Sequence, residues 1–292
     1  MTNNVEQKAE IEYVKDTFEE YLGCKTHISA SDIKNFLHSP RYYYFKAYEE
    51  DKSAKQNSNE RHFQIGSAVH ELVLEPHLFW TNYAVTPKFD LRTKVGKEGL
   101  AQFQAESVGK TLLNEDEVKL ATAMANEGTK NPTFMELIKE SYRELSCYTK
   151  DLNTGLLIRM RPDSFAKNKS TIVDVKTCQD SSPKAFKRDI YKFGYYISAS
   201  FYMDFLRREH YVFCAMEKNE PHQTALYELD DEMVEMGRKQ YRMALDLLKW
   251  SLDNNYWCDY NEFEILKECY DLGNLDEFFD IRDKSEKITI LR

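Results

Sequence analysis

The run Thr171-Ile-Val-Asp-Val-Lys176 constrains this chain more than any other segment. Its β-branched residues predict a strand, yet Asp174 interrupts the apolar stretch. Side chains alternate along a strand, so Asp174 and Lys176 project from one face, about 6–7 Å apart. Burying a carboxylate there is expensive unless it is paired or binds a metal. A preceding apolar strand, Leu156 to Arg161, leads into Pro162-Asp163, and a hairpin-like turn at Asn153-Thr-Gly155 joins it to Leu145–Thr149. If the strand ending at Asp163 neighbours the Asp174 strand, two carboxylates and an ammonium meet at one sheet edge. Two readings then stand side by side. One is a structural ion pair of Asp174 with Lys176 or Arg161. The other is a Mg2+ site on a phosphodiester, with Lys176 orienting or deprotonating a water.

The rest of the chain frames that strand. Ser31 is expected to cap a helix through Ile33, Phe36 and Leu37 ahead of Pro40, and the aromatic run Arg41–Lys46 reads as core. The polar stretch 49–60 reads as a loop, Ile65–Leu74 as a helix stopped near Pro76, and 92–97 as a basic loop. Helical spacing returns over Glu115–Asn126 and Thr133–Glu140. After the Asp174 strand, Ser182 and Pro183 open a helix whose Phe186, Ile190, Phe193, Ile197 and Phe201 share one face, with Gly194 as a candidate break. Strands at Tyr211–Met216 and Thr224–Leu229 and a long amphipathic helix at Asp230–Asn254 follow. The order of elements predicts an α/β fold with a central mixed sheet flanked by helices, preceded by an N-terminal helical portion.

Composition narrows the function. Across 292 residues the net charge is −9, which disfavours a protein that simply coats nucleic acid. The charge is unevenly spread: residues 159–192 carry nine Lys/Arg against four Asp/Glu, whereas 217–292 carry ten against nineteen. A basic middle therefore offers a phosphate-facing surface that the average hides. No glycine-rich nucleotide loop, G-x-S-x-G or H-E-x-x-H occurs, and the six cysteines form no C-x-x-C pair. No apolar run approaches the roughly 18 residues of a bilayer span, and the opening residues lack a signal-peptide pattern. The expectation is a cytoplasmic protein with free thiols and no membrane partner.

Taken together, the ordered motifs resemble the PD-(D/E)XK nuclease superfamily in its RecE-type (exodeoxyribonuclease VIII-like) phage and prophage exonuclease form. The resemblance rests on Arg161-Pro162-Asp163 followed by Asp174-Val175-Lys176-Thr177, and on Gly66-Ser67-Ala68-Val69-His70 with Leu74-Glu75-Pro76. Arg92-Thr-Lys94-x-Gly96-Lys97, Thr154-Gly155-Leu156-Leu157, Phe193-Gly194-Tyr195 through Tyr202, and Ile28-Ser29-x-Ser31 with Ser39-Pro40 add to it. It implies a nuclease domain over 28–260, divided into a helical portion (28–140) and a catalytic sheet core (141–260). An N-terminal extension (1–27) and an acidic C-terminal segment (261–292) flank that domain.

By this resemblance His70, Asp163 and Asp174 are metal ligands with the Val175 carbonyl, and Asp163, Asp174 and Lys176 are the catalytic set. Glu144, Ser198 and Tyr202 support the site, with Ser198 standing where relatives carry glutamine. Lys94, Lys97, Arg161, Lys184, Lys187, Arg188 and Lys192 would bind DNA phosphates without reading sequence. The implied activity is Mg2+-dependent (or Mn2+-dependent) hydrolysis of one strand of linear double-stranded DNA, 5′ to 3′. That leaves 3′ tails for a RecT-like annealing partner. A tetrameric ring around the DNA, in a bacterium or phage-infected host, is implied as well. The alternatives are a Cas4-like or RecB-like nuclease of other polarity, an endonuclease, or a catalytically silent DNA-binding protein of the same fold.

Overall fold

The structure is a computed structural model that describes residues 9–50, 60–167 and 170–284. Most of the stretch expected as a polar loop at 49–60, and the last residues of the acidic segment, lie outside the described residues.

The chain opens with β1 (Glu12–Val14) and α1 (Phe18–Gly23), the latter started by a capping box between Thr17 and Glu20. α2 (Ala30–His38) is capped by Ser29 rather than by Ser31. The reason is local: Ser29 has an acid three residues on, Asp32, whose carboxylate takes the Ser29 N–H at 2.9 Å, whereas the third residue after Ser31 is Lys34. α3 (Pro40–Tyr44) runs into a π-helical turn at Phe45–Glu49. Of Tyr42, Tyr43, Tyr44 and Phe45 only Tyr43 is buried, so the aromatic run is mostly surface.

α4 (Glu60–Leu74) ends one residue before Glu75-Pro76, and α5 (Phe79–Asn82) and β2 (Tyr83–Thr86) follow. The segment expected as a basic loop is the start of α6 (Lys94–Glu106). The Thr93 hydroxyl accepts the Gly96 N–H at 3.0 Å and nucleates the helix. β3 (Thr111–Asn114), α7 (Glu115–Thr129) and α8 (Pro132–Lys139) complete the helical half.

The sheet half comprises β4 (Ser141–Arg143), β5 (Ser146–Lys150), β6 (Leu157–Met160), β7 (Ser164–Ala166) and β8 (Thr171–Cys178). After it come α9 (Pro183–Lys192), α10 (Tyr195–Leu206), β9 (His210–Glu217), β10 (Thr224–Glu228) and α11 (Asp231–Asn254). α12 (Tyr260–Leu272) and α13 (Phe278–Lys284) close the described chain. Phe263, Leu266 and Cys269 of α12 are buried in the main core.

The central sheet has the order β10-β9-β8-β7-β4. Only β8 and β9 run parallel, from Thr171 opposite His210 to Cys178 opposite Glu217. The expected hairpin β5–β6 forms, but in a second sheet with β1, not beside β8. Pro162 explains the change of sheet. It has no N–H to give a ladder, so the chain leaves β6 there and re-enters the central sheet as β7.

Alternation along β8 and β9 splits the core between two faces. Ile172, Tyr211, Phe213 and Ala215 pack with α2, α10 and α11, while Val173, Val175, Cys214 and Met216 pack with α4, α7 and α8. The expected single face of Phe186 to Phe201 is broken at Gly194, whose φ of +61° ends α9 and starts α10. Phe193 is consequently 46% exposed. All six cysteines are free. Among the described residues no helix is long and apolar enough to cross a membrane.

Candidate active site

β8 and β7 build the centre of the site. β7 pairs antiparallel with β8, Ser164 opposite Val173, and one step further along that register sets Asp163 across from Asp174. The Asp163 carboxylate is pinned by the Val175 N–H at 2.7 Å, and its same oxygen lies 3.3 Å from His70 Nδ1 on α4. Asp163 thus arrives beside Asp174 through β7, not through the strand that precedes it. Asp174 and Lys176 share a face as the alternation requires, with Nζ 2.5 Å from Asp174 Oδ2. Asp174 is 7% exposed, and beyond this ion pair its Oδ2 has no hydrogen bond of regular geometry. The Lys176 ammonium also lies 5.3 Å from the centre of the Tyr195 ring.

Glu144 enters from the turn between β4 and β5. Its backbone is left-handed, φ +48°, and its N–H is bonded to the Asp163 carbonyl at 3.1 Å. A non-glycine residue in that region costs about 1 kcal/mol or more, a strain that recurs at functional sites. The result is that His70, Glu144 and Asp163 each offer a ligand atom within 4.8 Å of the others. Glu144 therefore belongs to the centre itself rather than to its periphery.

The charges oppose one another closely. Burial, and then the Asp163 carboxylate, push Glu144 up to about 8, against the pull of Arg161. Burial raises Asp174 as well, opposed by Lys176 and reinforced by Asp163. For Lys176, burial would lower the value, but Asp174 and Asp163 outweigh it and hold the amine above the usual lysine range. A lysine so held is an ammonium at neutral pH, a charged donor that can orient a neighbouring group. An excess of carboxylates and a single imidazole fit a hard divalent cation such as Mg2+ or Mn2+.

The other expected residues fall in several places. The hydroxyl of Tyr202, half-buried on α10, accepts the Arg161 backbone N–H at 3.4 Å, so it braces the loop before Asp163. Ser198 is half-buried in the first turn of α10, its N–H bonded to the Gly194 carbonyl. Lys184, Lys187, Arg188 and Lys192 are exposed on α9, and Lys94 and Lys97 are exposed on α6. Arg161 is turned inward: its side chain is 10% exposed and reaches Asp16 at 2.8 Å and Glu144 at 3.2 Å. That commitment removes it from a surface DNA path.

Two residues near the centre carried no sequence signal. Lys34 of α2 donates to the Phe193 carbonyl at 3.4 Å, and burial followed by the Lys176 ammonium pushes its amine down to about 8. Asp16 holds Arg161 from outside the expected domain. Neither position has a motif neighbour, because its partners lie more than a hundred residues away.

A mixed sheet bearing two facing aspartates and a lysine, with a helix histidine above them, places the protein in the PD-(D/E)XK nuclease class of folds. Residues 29–268 match the family described as PDDEXK-like domain of unknown function (DUF3799), and the chain belongs to that family. Among solved structures it is similar to a candidate exonuclease of Eubacterium rectale, with a TM-score of 0.57 and 14% identity over 83% of this chain and 88% of that one. At that identity the likeness speaks for the fold. A phage-related exonuclease of Haemophilus somnus superposes at a TM-score of 0.32 with 11% identity, over 80% of this chain and 99% of that one, too low to carry an argument. No curated protein matches.

Proposed function

We propose that the protein is a divalent-metal-dependent exodeoxyribonuclease acting on linear double-stranded DNA. The observation that carries this reading is the meeting of Asp163, Asp174 and Lys176 with His70 and Glu144 on the fold of a nuclease family. His70, Asp163, Glu144 and Asp174 would hold the cation, with the Val175 carbonyl beside them. Mg2+ or Mn2+ held there would supply Lewis acidity toward a phosphodiester oxygen and toward the attacking water. Lys176, a charged donor, orients the nucleophile and offsets the negative charge that develops on phosphorus oxygens. Tyr202 keeps the Asp163 loop in place through the Arg161 backbone. Lys184, Lys187, Arg188 and Lys192 on α9, with Lys94 and Lys97 on α6, would track phosphates without reading bases.

The RecE-type resemblance of the motifs supports the finer features: 5′-to-3′ polarity, 3′ tails, a single-strand annealing partner and a ring-shaped homo-oligomer, acting in the cytoplasm of a bacterium or infected host. The test is digestion of linear duplex DNA labelled at either the 5′ or the 3′ ends, with and without Mg2+, beside a closed circle and an Asp174→Ala variant. Early release of the 5′ label from linear DNA alone, lost in chelator and in the variant, is the expected result. Equal cutting of circles would make the protein an endonuclease, and DNA binding without cleavage would make it a silent member of the fold.

A further inference from the structure

We propose that Asp16, which lies ahead of the residues matched to the family, is a positioning residue of the metal centre. It anchors the Arg161 guanidinium so that a single N–H reaches Glu144, leaving the rest of that carboxylate to a cation. The inference rests on the reading of this site as a metal-dependent nuclease centre.

Local structure brings Asp16 into place. β1 zips onto β5 as far as Val14 opposite Ser146, and the Thr17–Glu20 capping box fixes the chain immediately after Asp16. Both carboxylate oxygens are then engaged. Oδ1 accepts from Ser146 Oγ at 2.5 Å and from Arg161 Nη1 at 2.8 Å, while Oδ2 accepts the Tyr148 hydroxyl at 2.7 Å. The Asp16 carbonyl takes Arg161 Nη1 as well, at 3.2 Å, and Ser146 Oγ accepts from the same nitrogen at 2.8 Å. Tyr21 of α1 sets its ring 6.0 Å from the Arg161 guanidinium.

This leaves Arg161 one edge for the active site, the Nε–H donated to Glu144 Oε2 at 3.2 Å. An arginine beside a carboxylate prefers the two-bond fork when it is free to turn. Freed from Asp16, the guanidinium would swing onto Glu144 in that geometry and compete with a cation for both oxygens. Glu144 cannot retreat, because its strained backbone is tied to the Asp163 carbonyl. The N-terminal strand is therefore part of the machinery that sets how open the metal centre is.

The experiment is Mn2+ binding to the full chain, read as free Mn2+ by electron paramagnetic resonance, for wild type, Asp16→Asn, Arg161→Lys, their double variant, Asp163→Asn and Glu12→Gln. Melting in chelator reports folding. Loss of an outer partner of a metal ligand weakens affinity about 10–100-fold, and that is the expected effect of Asp16→Asn. Glu12→Gln, at an exposed position of β1, should bind like wild type. Arg161→Lys has no fork to turn onto Glu144, so it should bind about as well as wild type, and in the double variant the loss of Asp16 should no longer weaken binding. A folded Asp16→Asn with wild-type affinity overturns the inference. If Asp16→Asn does not fold, a folded double variant that binds more weakly than Arg161→Lys does the same. Should wild type bind no Mn2+, or Asp163→Asn leave binding unchanged, the metal-centre reading fails and Asp16 falls with it. Weakening by Asp163→Asn without weakening by Asp16→Asn refutes the role of Asp16 alone.

Discussion

Lys176→Met separates the electrostatics of this site from its catalysis. In the folded protein Asp174 is 7% exposed and its ion-pair partner is the Lys176 ammonium at 2.5 Å. Removing one partner of such a buried pair typically costs about 3–5 kcal/mol, because the remaining charge is stranded. Asp174 has an escape, since it can take up a proton. Its value is already raised by burial in the wild type, above that of the unfolded chain. Stability from such a group is present at low pH and lost as pH rises toward the folded value.

Without Lys176 the folded value of Asp174 climbs further, and the gap from wild type opens with pH at about 1.4 kcal/mol per unit. A full gap of 3–5 kcal/mol then spans roughly two to four pH units. Thermal melts in chelator should show the gap from wild type widening between pH 5 and pH 8, toward roughly 6–10 °C. Asp174→Asn combined with Lys176→Met should recover most of that loss, since no stranded charge is left. A gap of equal size at both pH values, or none at pH 8, would refute the idea that Lys176 neutralises Asp174.

Two further outcomes follow from other parts of the molecule. Replacing Lys184, Lys187, Arg188 and Lys192 together by Gln should make DNA affinity less salt-dependent, the slope of log K against log salt falling by about 0.9 for each phosphate that is no longer neutralised. An unchanged slope in filter binding would remove α9 from the DNA path. Gly237→Ala should destabilise the protein by about 1–3 kcal/mol, because the added Cβ would stand 2.4 Å from Ser200 Oγ and 2.5 Å from the Tyr196 carbonyl, where α11 crosses α10. Urea denaturation measures it, and a neutral result would mean that the two helices separate without cost.

What could be read from the chain alone was what a residue's own element determines. Alternation put Asp174 and Lys176 on one face of β8, and they are in contact there. Proline and cap positions located α9, amphipathic spacing located α11, and the ordered motifs pointed to the nuclease class. Some local readings were overturned by a neighbouring side chain, as where Asp32 moved the cap from Ser31 to Ser29 or Thr93 turned a basic loop into α6.

Tertiary structure alone decided which elements face one another. Pro162 hands the chain from one sheet to the other, so Asp163 meets Asp174 through β7, a strand too short to have a pattern of its own. Glu144 joins His70 and Asp163 because a strained turn is tied to a strand some twenty residues on. Arg161, basic and next to the motif, looked like a phosphate contact until Asp16 was seen to hold it inward. The physical reason is the same in each case. Periodicity and capping are energies of neighbouring residues, whereas the pairing of distant elements depends on burial summed over surfaces that no single segment contains.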